Sequence, residues 1–361
     1  MEGRKIMPES FENYRNVYRM LEDEESRDTY LNRLMYLISG DYKYIENTLT
    51  AYKPDMPSVS ALMGKLLASL PRERKIVLYG AGGGGARVLQ HVKNDKRFTG
   101  FCSNNLLKQK NGYLGYPVMS PEELLGQKDM MVLVYAPSAK KEILQLLRDG
   151  GYPQDSIWDL ETAAMRVDPG QYFAPEFITY ADEEIFVDAG SYHLEDVLKF
   201  QKYCKRLRSA YAFEPDLENY EYCVRQKEAE SLPQVRVFPF GTWSEEKVLR
   251  FSGKGNTSSK ICEEAGNSVK VVPIDEMIQP EDRITFIKMD VEGAELESLK
   301  GAVKTIRRDL PKLAVCIYHK TKDMVEIPLF IKELAPEYQL YVRMHANDGS
   351  ETVLYAIPPE V

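Results

Sequence analysis

Cysteine and histidine are scarce in this chain of 361 residues, which holds five cysteines and four histidines. The cysteines stand at positions 102, 204, 223, 262 and 316, so no two of them form a Cys-x-x-Cys pair. A disulfide framework and a structural zinc site both depend on closely spaced groups of such residues. The sequence therefore argues against either, and we expect a reduced, cytoplasmic protein.

Long apolar runs and long runs of one charge are missing as well. Runs such as 130–136 and 313–318 fall far short of the about 18 residues that a membrane-spanning helix needs. Charges also interrupt residues 1–20, which disfavours a signal peptide. With 47 Lys and Arg against 55 Asp and Glu, the net charge of −8 argues against nucleic acid as an obligatory partner.

What the chain does contain is an ordinary globular mixture, with 43% hydrophobic and 28% charged residues. At about 150 residues per domain, its length predicts roughly two or three domains. Residues 1–72 show apolar residues at helical spacing without a strand pattern. Because short helices need a surface to pack on, we predict a helical N-terminal segment that covers a larger domain or forms the subunit interface of a homo-oligomer.

Two stretches of alternating strand and helix patterns follow that segment. Residues 73–163 predict a small Rossmann-like domain with a parallel sheet. A second alternation fills residues 164–361 and ends in two strands joined at Gly349, which predicts an antiparallel hairpin closing a mostly parallel sheet. The expected fold class is therefore α/β, with two Rossmann-like domains in series.

The first of these domains opens with a glycine-rich loop. Gly80, Gly82 and Gly85 follow a strand and precede a helix, as in a nucleotide-binding turn. The acidic residue that would hold a ribose is missing, since the next strand ends in Ser-Asn-Asn at 103–105. NAD and a dehydrogenase activity are therefore disfavoured. Two alternatives remain open: the loop binds a nucleotide or nucleotide sugar, or its glycines serve strand–helix packing alone.

The second domain places acidic and small residues at two neighbouring strand ends. Asp188, Gly190 and Ser191 follow one strand, and Glu214 follows the next. The glycine lets a carboxylate or phosphate-like group approach the backbone, while Glu214 is placed to accept hydrogen bonds from both hydroxyls of a ribose. S-Adenosylmethionine fits this pattern, because it carries an adenosine without a pyrophosphate.

Two further strand ends carry titratable side chains. Asp290 and Glu292 follow a fourth parallel strand, and His319 follows the strand after it. Histidine has an ordinary pKa of about 6.5, which suits His319 to removing a proton from a hydroxyl near neutral pH. Two alternatives stay open: His319 is a structural histidine, or Asp290 and Glu292 hold a divalent ion such as Mg²⁺ that orients acceptor hydroxyls.

Seven segments of the second domain carry recognisable motifs. They are IFVDAGSY (185–192), YAFEPDLENY (211–220), NTSS (256–259), VPIDEMI (272–278), FIKMDVEGAELESLKGA (286–302), IYHK (317–320) and ETVLYAI (351–357). Together they resemble the FkbM family of S-adenosylmethionine-dependent methyltransferases, over about residues 172–357. In addition, residues 75–160 resemble the nucleotide-binding-like domain of some bacterial sugar-modifying proteins.

The FkbM resemblance implies a class I methyltransferase fold and the transfer of a methyl group to a hydroxyl of a sugar, a glycan precursor or a secondary metabolite. It implies S-adenosylmethionine as the cofactor. The implied positions are Asp188, Gly190 and Ser191 at its methionine part, Glu214 at its ribose, Phe240, Gly241 and Thr242 on the adenine side, and Asp290, Glu292 and His319 facing the acceptor.

One position departs from the family's first motif. The family continues after the position of Tyr192 with a glycine-bearing pair, whereas this chain has His193 and Leu194. A leucine adds a branched side chain and disfavours a positive φ angle. We expect the loop to take another path, so that His193 or Glu195 contacts the methionine group in a weaker but active site. The alternative is a blocked pocket in a non-catalytic protein that binds S-adenosylmethionine or a sugar nucleotide.

Overall fold

The computed structural model of the protein describes residues 11–136, 139–251 and 267–359. The chain divides into two units, one comprising Met1–Tyr44 with Val167–Val361 and the other Ile45–Arg166. The helices of the predicted N-terminal segment therefore lie in both units. The NTSS turn at 256–259 lies outside the described residues.

Helices and strands alternate along most of the described chain. The helices are α1 Phe11–Met20, α2 Glu24–Ser39, α3 Lys43–Tyr52, α4 Val59–Ser69, α5 Gly83–Val92, α6 Leu106–Asn111, α7 Pro121–Leu125, α8 Lys140–Asp149, α9 Leu160–Ala164, α10 Glu195–Phe200, α11 Leu217–Ala229, α12 Ile274–Met277, α13 Glu295–Lys300, α14 Val303–Asp309 and α15 Asp323–Leu334. The strands are β1 Ile76–Tyr79, β2 Phe98–Cys102, β3 Val118–Met119, β4 Met131–Val134, β5 Ile157–Asp159, β6 Glu184–Ala189, β7 Leu207–Phe213, β8 Val235–Phe238, β9 Gly241–Thr242, β10 Lys247–Phe251, β11 Asn267–Val272, β12 Phe286–Met289, β13 Lys312–Cys316, β14 Gln339–Met344 and β15 Thr352–Ile357.

The unit Ile45–Arg166 contains a five-stranded sheet in the order β3-β2-β1-β4-β5. Every pairing in it is parallel. Each residue of β1 and β4 is buried, because helices cover both faces of a parallel sheet. This confirms the small parallel α/β fold predicted for this part of the chain.

The other unit is built on a seven-stranded sheet in the order β14-β15-β13-β12-β6-β7-β8. Strand β15 runs antiparallel to both of its neighbours, β13 and β14, whereas the other pairings in this sheet are parallel. The antiparallel pair of β14 and β15 confirms the predicted hairpin. Side chains alternate between the two faces of each strand. Accordingly, Val187 and Ile287 belong to one apolar core, and Phe186 and Phe286 belong to another.

Helix α2 and the residues before it cover the edge strand β14 of this sheet. Leu21 forms an isolated parallel bridge with Leu340, and the Ser26 hydroxyl accepts a hydrogen bond from the Val342 amide at 2.9 Å. The buried Arg343 pairs with Asp23 at 2.6 Å, and with two further carboxylates. These contacts satisfy backbone groups that an open sheet edge would leave unpaired.

A second, three-stranded sheet in the order β10-β11-β9 completes this unit. Strand β9 pairs with β11 in parallel, and β10 pairs with it antiparallel. Across the described part of the chain, every helix is too short or too polar to cross a bilayer.

Candidate active site

Four neighbouring parallel strands end at one edge of the seven-stranded sheet, in the order β7, β6, β12 and β13. Glu214 follows β7, Gly190 follows β6, Asp290 follows β12, and His319 lies beyond β13. Because adjacent strands lie about 4.8 Å apart, this row is roughly 14 Å long. The fold thus brings the two predicted groups of site residues to the same edge, where ligands bind in such sheets.

A buried ion pair lies beneath the first of these strand ends. Lys288 and Asp188 stand opposite each other on β12 and β6, with Lys288 Nζ 3.2 Å from Asp188 Oδ1. The same Nζ lies 3.0 Å from Asp196 and donates to the Gly190 carbonyl at 2.8 Å. Burial opposes a charge on Lys288, but Asp188 and Asp196 hold its pKa well above the usual range. Asp188 therefore already has an ion-pair partner, Lys288, in the interior of the sheet.

The loop after β6 needs glycine at one position. Gly190 has a φ of 87°, and a Cβ on it would stand 1.9 Å from the Asp290 carbonyl oxygen. The amides of Gly190 and Ser191 both donate to the Phe213 carbonyl, at 3.1 and 2.9 Å. This loop is therefore held between the ends of β7 and β12.

Leu194 adopts the positive φ that a leucine disfavours. Leu194 has a φ of 64°, and Tyr192 has a φ of 49°. The left-handed conformation costs a leucine about 1 to 2 kcal/mol. The Leu194 side chain is completely buried in the core with Phe186 and Val197, and burying a leucine stabilises by about 1.5 to 3 kcal/mol. The leucine thus anchors the loop from the core side.

Glu214 is buried and already accepts two backbone hydrogen bonds. Its Oε2 accepts from the Tyr192 amide at 2.8 Å, and its Oε1 accepts from the Asp216 amide at 2.9 Å. Burial raises the pKa of Glu214 to about 7. Each carboxylate oxygen can accept a further hydrogen bond, so both remain capable of meeting ribose hydroxyls.

Gly241 and Thr242, two of the three residues predicted on the adenine side, have different surroundings. A Cβ on Gly241 would lie 3.7 Å from the side chain of Pro215, the residue that follows Glu214 in the chain. Thr242 is buried, and its hydroxyl lies 2.6 Å from that of Ser298 on α13. The Thr242 side chain therefore lies between β9 and α13.

The three predicted acceptor-side residues lie together. His319 Nε2 stands 3.5 Å from Asp290 Oδ1 and 3.3 Å from Glu292 Oε2, and its Nδ1 stands 2.7 Å from Glu295 Oε1. Burial alone would lower the pKa of His319, but these three carboxylates raise it to about 9. The expectation of an ordinary histidine pKa is therefore wrong, and His319 carries a proton at neutral pH in the free protein.

Sequence reasoning missed the residues that surround this cluster. The Tyr172 hydroxyl donates to Asp290 Oδ2 at 2.9 Å, and the Tyr318 hydroxyl donates to Glu351 Oε1 at 3.0 Å. Burial, followed by the nearby Asp290, raises the pKa of Glu351 to about 7. Glu295 was visible in the sequence as the second glutamate of the DVEGAE motif. No comparable signal marks Tyr172.

Three side chains of this cluster, Asp290, Glu295 and His319, each offer an atom within 4.8 Å of the others. Glu295 Oε1, however, already accepts hydrogen bonds from the Val291 and Gly293 amides as well as facing His319 Nδ1. The predicted divalent ion at Asp290 and Glu292 therefore stays a prediction.

Packing accounts for two of the three predicted glycines in the loop after β1. A Cβ on Gly80 would lie 2.4 Å from the Tyr135 carbonyl oxygen, and one on Gly85 would lie 1.9 Å from the Gly80 carbonyl oxygen. Gly82 precedes α5 with an extended backbone, and a Cβ on it would meet nothing within 4 Å. The Tyr113 hydroxyl donates to its carbonyl at 3.0 Å. Packing therefore does not explain why residue 82 is a glycine.

Residues 187–341 match the sequence model of the Methyltransferase FkbM domain. The structure of methyltransferase FkbM from Methylobacillus flagellatus KT is similar over 88% of this chain and 100% of its own, at 20% identity and a TM-score of 0.50, which shows a shared fold. An rRNA methylase from Streptococcus thermophilus is 14% identical over 50% of this chain and 89% of its own, with a TM-score of 0.32. No curated protein matches the chain. Over residues 187–341 the chain is thus similar to the methyltransferase FkbM domain.

Proposed function

We propose that this protein transfers a methyl group from S-adenosylmethionine to a hydroxyl oxygen of a sugar, a glycan precursor or a secondary metabolite. The observation that carries the proposal is His319, whose Nε2 stands between Asp290 and Glu292. This group lies on the same sheet edge as Glu214 and the loop after β6. On this proposal, a proton acceptor and a nucleoside-binding carboxylate share one edge of the sheet.

The residues at the ends of β6 and β7 fit the cofactor. Asp188 Oδ2 and Ser191 Oγ are buried, and Ser191 lies close enough to Asp188 for a hydrogen bond to lower the pKa of that carboxyl. Apart from this contact, neither atom has a partner among the described residues, so both can still accept a hydrogen bond from a ligand. Glu214 would hold the ribose, Ser191 and the backbone around Gly190 would meet the amino-acid end, and Gly241 would border the adenine. When bound, the cofactor supplies a methyl group on a positively charged sulfur.

On the acceptor side, His319 acts as the general base. The acceptor hydroxyl gives its proton to Nε2 while its oxygen forms the bond to the methyl carbon, and the electron pair of the broken carbon–sulfur bond stays on sulfur. Asp290 and Glu292 stabilise the imidazolium that results and accept hydrogen bonds from neighbouring hydroxyls of the acceptor. Alignment of the reacting atoms in this crevice supplies the remainder of the rate enhancement.

The alternative of a non-catalytic binding protein rests on a blocked first motif. Because the side chain of Leu194 is buried in the core, it does not obstruct the first motif, which supports an active site. For the other unit, we propose that the loop around Gly82 binds a nucleotide or nucleotide sugar, because packing does not require this glycine.

The function is tested in two steps. Calorimetry with S-adenosylhomocysteine first measures cofactor binding. Panels of free sugars, nucleotide sugars and hydroxylated natural products are then incubated with S-adenosylmethionine that carries a deuterated methyl group, and mass spectrometry and NMR locate the methyl. We expect an O-linked methyl group. Absence of S-adenosylhomocysteine binding at millimolar concentration, or a methyl group on nitrogen or carbon, would overturn the proposal.

A further inference from the structure

His319 is held on its far side by Glu295, to which neither motif reasoning nor the proposed chemistry has given a role. Glu295 Oε1 lies 2.7 Å from His319 Nδ1, closer than the 3.3 and 3.5 Å that separate Nε2 from Glu292 and Asp290. Glu295 is completely buried, whereas about half of the Glu292 side chain is exposed. The two sides of the imidazole therefore have different environments.

The chain after β12 folds around the Glu295 carboxylate. Glu292 and Gly293 have φ values of 54° and 93°, so the backbone reverses before α13 begins. As a result, Glu295 Oε1 accepts from the Val291 amide at 3.1 Å and from the Gly293 amide at 3.2 Å. Burial opposes ionisation, but the hydrogen bond with His319 holds the pKa of Glu295 below its usual range. Glu295 is thus a fixed, ionised acceptor.

An ionised carboxylate can only accept hydrogen bonds, so the proton of a neutral His319 must reside on Nδ1. Nε2 is then the nitrogen that takes up or releases a proton, and it faces Asp290 and Glu292. A carboxylate that orients a histidine in this way also stabilises the imidazolium that forms when Nε2 accepts a proton.

We propose that Glu295 is the positioning residue of His319: it selects the Nδ1–H tautomer and stabilises the imidazolium during methyl transfer. Its catalytic consequence rests on the proposed function, whereas its effect on His319 belongs to the free protein.

Other charged groups surround His319 besides Glu295, and they lie at different places in the fold. Asp290 and Glu292 after β12 and Glu351 before β15 act on the charge of His319, whereas Lys288 on β12 acts on Glu292, and Glu295 and Lys320 act on Asp323 of α15. Among the described residues, only Glu295 is hydrogen-bonded to Nδ1. The tautomer therefore depends on this one side chain.

The test combines Glu295→Gln with Glu297→Gln as its matched control. Glutamine keeps a carbonyl oxygen for the loop amides but removes the charge. Glu297 lies on the same helix and pairs with Ser244 and Lys300. His319 is titrated by NMR in the free protein, its signal being assigned by its loss in His319→Asn.

In Glu295→Gln we expect the pKa of His319 to fall from about 9 by at least one unit. We also expect turnover to drop about 10- to 100-fold, as for other residues that orient a functional histidine. The acid limb of the pH–rate profile should move to lower pH, while the Kd for S-adenosylhomocysteine stays unchanged. Glu297→Gln should alter none of these quantities.

A wild-type His319 that titrates near 6.5, or one whose pKa is equal in Glu295→Gln and wild type, overturns the proposal. The wild-type measurement stands even where the variant does not fold, and ¹⁵N shifts of the neutral imidazole then decide the tautomer. A neutral form with its proton on Nε2 also overturns it. Because the titration needs neither cofactor nor acceptor, failure of methyl transfer would refute the proposed function without altering this result.

Discussion

Lys288 and Asp188 stand opposite each other in the middle of the seven-stranded sheet, with 3.2 Å between Nζ and Oδ1 and neither side chain accessible to water. The same ammonium donates to the carbonyl of Gly190. The pair therefore links the sheet core directly to the loop after β6, at which we propose that the cofactor binds. Its removal should affect the whole domain.

We predict that Lys288→Met lowers the free energy of unfolding by about 3 kcal/mol, because it leaves Asp188 buried without its cation. Chemical denaturation measures the loss. Lys300→Met, which removes a half-buried lysine paired with Glu297, should cost far less, about 0 to 1 kcal/mol. Adding Asp188→Asn to Lys288→Met should recover part of the stability. Equal losses in Lys288→Met and Lys300→Met would contradict the prediction.

A second prediction concerns the ribose. Glu214→Ala removes a charge-assisted acceptor of two hydroxyls, so we expect the Kd for S-adenosylhomocysteine to rise about 10- to 100-fold. Glu218→Ala, four residues on and exposed in the first turn of α11, is the control and should bind as the wild type does. Calorimetry at a pH well above 7 keeps Glu214 ionised. An unchanged Kd in Glu214→Ala would exclude the assignment.

Much of the fold could be predicted from the sequence, for a physical reason. Buried parallel strands appear as continuous apolar runs, as in the Ile-Val-Leu-Tyr run of β1 that precedes the glycine-rich loop. Strand β9 escaped prediction, because Gly241–Thr242 is only two residues long and is held by pairing with Val271 and Val272. No local pattern records such a distant contact.

The site was predictable at strand ends and unpredictable in loops. Topology alone brings Asp290 and His319 to one edge, because parallel strands end on the same side. The pKa of His319 instead depends on Glu295, which reaches Nδ1 through a reversal at Glu292 and Gly293. Likewise, the strained backbone of Leu194 is tolerated because its side chain is buried.

A third prediction follows from that buried leucine. Leu194→Ala should lower the free energy of unfolding by about 2 to 5 kcal/mol, because it opens a cavity in the core and keeps the left-handed backbone. Val248→Ala, at an exposed position of β10, should change it by less than about 0.5 kcal/mol. In the folded variant, the Kd for S-adenosylhomocysteine should remain near that of the wild type. A large gain in affinity would show that the leucine obstructs the cofactor after all.

The last prediction concerns the pH dependence of methyl transfer. The pKa of His319 is raised to about 9, so below this pH the base is mostly protonated and inactive. Between pH 7, below which Glu214 is also protonated, and pH 9 we expect kcat/KM to rise about tenfold per pH unit and then to level off, since this ratio reports the ionisations of the free enzyme. Glu292 is half exposed, and partial desolvation together with the nearby Asp290 raises its pKa to about 7. As the base, Glu292 would instead produce a plateau beginning near pH 7.

His319→Asn tests the same role by removal. Turnover should fall about 10²- to 10⁴-fold, and the pH dependence near 9 should vanish, while S-adenosylhomocysteine binds as before. His91→Asn on α5, in the other unit, serves as the control and should keep both the rate and the profile. A wild-type profile in His319→Asn would eliminate the base. A metal-assisted acceptor site would be favoured if chelation removed the wild-type activity, Mg²⁺ restored it, and Asp290→Asn abolished this metal requirement. Hard carboxylate oxygens would then orient the hydroxyl through the ion in place of the imidazole.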